Sequence, residues 1–151
     1  MDEVGVEVDG CSAPTFTLTL PHAARAFGSL VDGSRQESAL TSLRTAVAAE
    51  PIAYCGEGKS CTKFICATGG GVFPKAGAEG FYGVGIASAG LGVAIKVEDG
   101  SSRPVEPWIA SILLRHLEDL TEEGRDSLRS MTKVDVANAR GAVVGRLEIV
   151  A

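Results

Sequence analysis

The sequence predicts an α+β fold, with an antiparallel sheet packed against helices in an α/β-sandwich-like arrangement. Three observations carry this. Residues 81–86 and 91–97 alternate apolar and small or polar residues on either side of Ala87-Ser88-Ala89-Gly90, which reads as a β-hairpin with a short glycine-containing loop. Residues 21–31, 36–49 and 107–117 carry apolar side chains at helical spacing. The chain has 151 residues, 45% hydrophobic and 22% charged, which is one domain's worth with enough apolar content to bury a core.

Taken in order, Val4-Gly5-Val6-Glu7-Val8-Asp9-Gly10 alternates as a short strand running into a turn. A strand this close to Met1 is expected to find its partners downstream. Pro21 suits the first turn of a helix continued by Ala23, Ala24, Ala26, Phe27 and Leu30, and Asp32-Gly33-Ser34 ends it in a loop. Over residues 36–49, Leu40, Leu43, Ala46 and Val47 share a face, and Pro51 lies just past the end. Residues 56–60 form a polar loop, 62–67 a short helical segment, and Thr68-Gly69-Gly70-Gly71 breaks the chain before a strand leading into Lys75. Beyond the hairpin, Asp99-Gly100-Ser101-Ser102 is a turn. Trp108, Ile109, Ile112, Leu113 and Leu117 give the helix at 107–117 its apolar side, with Trp108 expected as a core anchor. A looser helix follows at 122–131, then two strands over residues 133–151 around Asn138-Ala139-Arg140-Gly141.

A net charge of −5 leaves no basic excess to meet phosphates, which argues against nucleic-acid binding. No apolar run approaches the ~20 residues of a membrane span. Met1-Asp2-Glu3 lacks the basic and apolar regions of a signal peptide, so a cytoplasmic location is expected. The four cysteines, Cys11, Cys55, Cys61 and Cys66, contain no Cys-x-x-Cys pair, and free thiols are expected. Cys61 and Cys66 read as buried small hydrophobes. His22 and His116 read as surface or helix-end residues.

Chemistry concentrates in Lys75-Ala76-Gly77-Ala78-Glu79-Gly80. A lysine ends a strand, Gly77 lets another group approach the backbone, and Gly80 permits a tight turn. Taken alone, Glu79 reads as a turn or salt-bridge residue. Asp9 either caps the turn at Gly10 or lines a pocket.

Three segments together resemble the rhizobial-type (asparaginase II) L-asparaginases: Val8-Asp9-Gly10-Cys11-Ser12-Ala13-Pro14 followed by Phe16, Leu18 and Leu20-Pro21; Lys75-x-Gly77-Ala78-Glu79-Gly80; and the run from Gly90 to Gly100 with Arg103. The resemblance implies the fold of serine β-lactamases, penicillin-binding proteins and glutaminases, and hydrolysis of L-asparagine to aspartate and ammonia by a serine paired with lysines. It makes Lys75 the lysine that deprotonates or hydrogen-bonds the serine hydroxyl. Asp9, Ser12, Gly77 and Glu79 become substrate-binding residues. It implies no required cofactor, but associates Cys11 with a zinc site completed by residues earlier in the chain. L-Asparagine is the expected partner, without nucleic acid or membrane, and self-association into a homo-oligomer is left open.

Members of that family run to roughly twice this length, so the chain is expected to correspond to their C-terminal half and to lack the Ser-x-x-Lys pair. The chain's own matches, Ser60-Cys61-Thr62-Lys63 and Ser130-Met131-Thr132-Lys133, place serine and lysine one helical turn apart. Composition alone accounts for such matches, and neither is expected to be catalytic. Two other expectations stand beside an asparaginase: one half of an enzyme completed by another chain, and a non-catalytic amide-binding or interaction fragment. If absent helices normally cover the sheet, the chain should expose apolar surface and self-associate.

Overall fold

The computed structural model describes residues 4–34 and 38–149. Its elements are strands β1 (Gly5–Val8) and β2 (Pro14–Thr17), helices α1 (Leu20–Val31), α2 (Ser38–Ala49), α3 (Pro51–Cys55) and α4 (Ser60–Ala67), strands β3 (Val72–Ala76), β4 (Phe81–Ile86) and β5 (Leu91–Lys96), helices α5 (Val105–His116) and α6 (Glu122–Met131), and strands β6 (Lys133–Ala137) and β7 (Val143–Glu148). The α+β expectation holds. The strands form a central antiparallel sheet β3-β4-β5 and two separate hairpins, β1-β2 and β6-β7.

Alternation along β4 organises the molecule. Tyr82, Val84 and Ile86 point to one face, where they pack with Phe64 of α4, Val105, Ile109, Ala110 and Leu113 of α5, and Leu128 and Met131 of α6. Gly83 and Gly85 point to the other face, where α1 lies almost on the sheet backbone. A Cβ at Gly83 would come within 1.9 Å of Phe27, and one at Gly85 within 2.5 Å of the Phe27 carbonyl oxygen. On β5, a Cβ at Gly92 would meet the Ala24 carbonyl oxygen at 1.8 Å and the Gly28 nitrogen at 2.3 Å. These glycines let a helix approach the sheet far more closely than side chains would allow. A smaller cluster of Val31, Val47, Ile65 and Phe73 joins α1, α2 and α4 to β3.

Several expectations need correction. Trp108 is 50% exposed, not a core anchor. The buried stripe of α5 runs through Val105, Ile109 and Leu113, and Trp108 lies outside it, beside Leu20, Val93, Ile95 and Ile112 in an open groove along β5. Cys66 is exposed, because α4 buries Cys61, Phe64 and Ile65 and turns Lys63 and Cys66 outward. Leu43 is 44% exposed, and only Val47 of the predicted α2 face is buried. Gln36, predicted to start that helix, and Val150 and Ala151, predicted in the last strand, lie outside the described residues. Pro51 does not merely follow a helix; it opens α3 at the first position, where its missing N–H costs nothing. Strand β2 was not anticipated; only four residues long, it is defined by its pairing with β1.

The turns match their chemistry. Gly90 has φ 57 and donates to Ala87 O at 3.2 Å in the β4–β5 loop. Asp99 Oδ1 accepts from Ser101 N at 2.8 Å, and Asn138 Oδ1 from Arg140 N at 2.9 Å. His22 sits in the first turn of α1 and His116 at the end of α5. No helix among the described residues is long and apolar enough to cross a membrane.

Candidate active site

Lys75 lies on β3, an edge strand of the central sheet, paired in register with Gly83. Phe73, two residues earlier, packs toward α1, so the pleat directs Lys75 to that same face. The side chain is exposed, and its Nζ sits 5.5 Å from the centre of the Tyr54 ring. Such a contact attracts the ammonium to the negative face of the ring. Tyr54 is itself held in place: its Oη donates to Pro74 O at 3.1 Å, and its ring stands 5.8 Å from that of Phe73. Burial, with the Cys55 and Cys61 thiols nearby, pushes the Tyr54 phenol up to about 12, so it remains a neutral donor at physiological pH.

On the opposite face of the sheet, where Tyr82 points, is a cluster of polar groups that sequence reasoning did not assemble. Tyr82 Oη donates to Cys61 Sγ at 3.2 Å and accepts from Ser60 Oγ at 3.4 Å. The Tyr82 ring meets Phe64 edge-on, with centroids 6.0 Å apart. Burial and the neighbouring Cys61 thiol raise the Tyr82 phenol well above its ordinary value. The Cys55 thiol is pushed up to about 11, chiefly by burial and then by Cys61, with the Lys75 charge opposing the shift. The helical segment at 62–67 was readable, though α4 starts two residues earlier, at Ser60; that Cys55 would fold back onto it was not, because α3 is only five residues long.

Gly77 and Glu79 follow Lys75 in the β3–β4 connection. Gly77 N donates to Phe81 O at 3.0 Å, and a Cβ at Gly77 would come within 2.8 Å of the Phe81 ring. Phe81 N donates to Ala78 O at 3.1 Å, closing a turn in which Glu79 has φ 53 and Gly80 φ 68. A glutamate in the left-handed region is unusual, and the Lys96 ammonium braces it by donating to the Glu79 carbonyl. Glu79 is therefore visibly a turn residue.

Asp9, Cys11 and Ser12 form the tip of the β1-β2 hairpin. Asp9 Oδ1 accepts from Gly10 N at 2.7 Å, Cys11 Sγ lies 3.7 Å from Asp9 Oδ2, and Ser12, with φ 68, donates its N–H to Asp9 O at 2.8 Å. All of them are exposed. The structure thus brings Asp9, Cys11 and Ser12 together, and separately Lys75, Gly77 and Glu79. Among the described residues no hydrogen bond or ion pair joins the two groups. Nor does any group of three or more His, Cys, Asp or Glu among them come close enough to hold a metal ion. Cys11 and Asp9 supply two donors where zinc takes four, so the described residues do not by themselves fit a zinc site.

Neither internal Ser-x-x-Lys pairs its serine with its lysine. Lys63 Nζ pairs with Glu106 at 3.0 Å, and Lys133 with Glu148 at 3.7 Å, while Ser130 Oγ donates to Ser127 O at 2.7 Å. Ser60 and Lys63 share α4, whereas Lys133 opens β6 beyond the end of α6, and both lysines are drawn away to carboxylates.

The L-asparaginase II family profile matches residues 1–149. The chain belongs to the L-asparaginase II family. The match takes in the hairpin tip and the Lys75 strand together, and covers nearly the whole chain. It supports an asparaginase-type hydrolytic function in the broad sense. A comparison with curated proteins gave no match.

Proposed function

We propose that this L-asparaginase II chain contributes the lysine wall of a serine/lysine site that hydrolyses L-asparagine to L-aspartate and ammonia. The observation that carries the reading is the family match over residues 1–149, which includes Lys75 on its exposed sheet edge. In the reaction, a serine hydroxyl attacks the side-chain amide carbonyl as a lysine amine takes its proton. The proton passes to the leaving nitrogen, ammonia departs, and water hydrolyses the ester to aspartate and free serine. Lys75 is the proton-handling lysine, and Tyr54 fixes where its amine stands.

The serine comes from outside this chain, which corresponds to the C-terminal half of the complete enzyme. Two observations support this. No serine hydroxyl among the described residues bonds to Lys75, and the hairpin bearing Asp9, Cys11 and Ser12 exposes Val4, Val6, Val8 and Phe16, each more than half accessible. An apolar hairpin of this kind has the surface of an element covered by more polypeptide. Asp9 and Ser12 then complete the substrate pocket with Gly77 and Glu79, and zinc bound through Cys11 would take its remaining ligands from the same added segment.

Ammonia release from L-asparagine tests this, with the chain assayed alone and together with the Ser-x-x-Lys-bearing half of a full-length family member. Activity is expected in the combined sample and to fall by about 100-fold or more in Lys75→Met, the scale of losing a positioned proton-transfer group. Activity that survives Lys75→Met refutes the role of that lysine. Activity of the chain alone that disappears in Ser60→Ala refutes the external serine.

A further inference from the structure

We propose that Lys96 is a positioning residue for the candidate site: its ammonium holds the Glu79 carbonyl and thereby fixes the turn that presents Gly77 and Glu79 to substrate. This role rests on the reading of Gly77 and Glu79 as substrate-binding residues. It also gives a purpose to the end of the run from Gly90 to Gly100, which the site otherwise leaves without one. Lys96 closes β5 and pairs in register with Phe81, the first residue of β4. Residues opposite one another in an antiparallel pair share a face, so the lysine stem stands beside the Phe81 side chain. The two line one cleft with Thr15 and Phe16 of β2, and the Phe81 ring lies against Gly77 on its other side. From there the amine turns back to donate to Glu79 O.

The turn needs such a brace. Its own bonds, from Gly77 N and Phe81 N, are local, and Glu79 at φ 53 occupies a region that glutamate seldom adopts. Three contacts from the end of β5 hold it. Val97 N donates to Gly80 O at 3.1 Å. Gly100, at φ 76, leaves room for the Glu79 carboxylate, since a Cβ there would come within 2.6 Å of Glu79 Oε2. The Lys96 ammonium supplies the charged donor, and a charge-assisted bond is stronger than a neutral one. It acts on the carbonyl of the residue in the unusual conformation, so it sets the plane of the following peptide and the direction of the Glu79 side chain. Without it the turn is free to relax toward commoner backbone angles, and binding groups must stand within about 0.5 Å of their productive positions.

Two measurements on the full chain and its variants test this. Amide hydrogen exchange reads the turn: in Lys96→Met the Gly77 and Phe81 amides are expected to exchange about tenfold faster, while those of Ile109 and Leu113 in α5 keep the parent rate. Lys96 is exposed, so its replacement leaves the core intact. Ammonia release in the combined sample reads the site: KM for L-asparagine is expected to rise about fivefold or more in Lys96→Met, with kcat changed less than about twofold. Lys96→Arg, which keeps a charged donor, should restore KM to within about twofold of the parent. Gly100→Ala crowds the Glu79 carboxylate from the other side and should raise KM as well. Parent exchange rates at Gly77 and Phe81 in Lys96→Met overturn the brace. Faster exchange with KM unchanged, or an equal loss in Lys96→Met and Lys96→Arg, overturns the positioning role. No ammonia from the parent combined sample counts against the serine/lysine reading instead, and the exchange rates alone then decide whether Lys96 holds the turn.

Discussion

Replacing Gly92 with alanine tests the packing on which the Lys75 face depends. A Cβ at Gly92 would stand 1.8 Å from Ala24 O and 2.3 Å from Gly28 N, both backbone atoms of α1, whereas ordinary contact begins at 3.4 Å. Rotamer changes cannot relieve a collision with backbone, so the helix must withdraw by roughly 1.5 Å. Such a gap forfeits a quarter to a half or more of the contact energy along the interface, including Phe27 over Gly83 and Val31 over Gly85. Overpacking alone costs about 1–3 kcal/mol, and with the lost contacts the expected destabilisation is about 3 kcal/mol or more. That is a large part of the ~5–15 kcal/mol stabilising a typical domain. It corresponds to a fall in Tm of about 6–12 °C at this chain length. Urea and thermal unfolding followed by circular dichroism measure it, with Gly145→Ala as control: nothing lies within 4 Å of that Cβ, so its change should stay within about 0.5 kcal/mol. The argument fails if Gly92→Ala unfolds within about 1 kcal/mol of the parent with an unchanged m-value.

Glu79→Gly should raise stability by about 1 kcal/mol, since it removes the cost of a side chain in the left-handed region; urea midpoints check this. Tyr82→Phe should lower stability by about 1 kcal/mol, because the Ser60 and Cys61 side chains lose their buried partner, read by the same method. Pulse alkylation followed by peptide mapping should label Cys11 and Cys66 first, Cys55 slowly, with a rate that climbs as pH rises toward about 11, and Cys61 only on unfolding. Stability should fall in alkali. Folding raises the Cys55 thiol from 9.0 to about 11 and the Tyr54 phenol from 10.0 to about 12, so their neutral forms favour the fold fully below the lower value of each. That contribution disappears as pH climbs through the upper values, and urea midpoints from pH 8 to 12 should decline over that window.

What could be read from the sequence follows the range of the forces involved. The β4–β5 hairpin and helices α1, α5 and α6 were legible because a repeating apolar pattern and a glycine, proline or asparagine at the boundary are local signals. Trp108 and Cys66 were misread because burial depends on which neighbours arrive, and hydrophobicity alone does not say which side of a helix will be covered. The role of the glycines of β4 and β5 was not legible locally, because α1, which lies on them, comes from a distant part of the chain; the same absence of side chains that lowers strand propensity makes the close approach feasible.

The candidate site shows the same division. Lys75, Gly77 and Glu79 were visible as one motif, and so was the turn beginning at Asp9, because each is contiguous. The platform under Lys75 was not, since Tyr54 lies 20 residues from Pro74, whose carbonyl accepts its phenolic hydrogen. Cys55, Cys61, Ser60 and Tyr82 likewise come from one short helix, the start of another, and a strand. Tyr54 fixes a cation and Tyr82 a thiol, and burial raises both phenols so that each remains a neutral donor. The Lys75 ammonium thus stands against the ring of a neutral tyrosine. Among the described residues no carboxylate holds the Lys75 amine in an ion pair, unlike Lys63 and Lys133. Of the three lysines considered for proton transfer, only Lys75 is without a carboxylate partner among the described residues, as the proposed role requires.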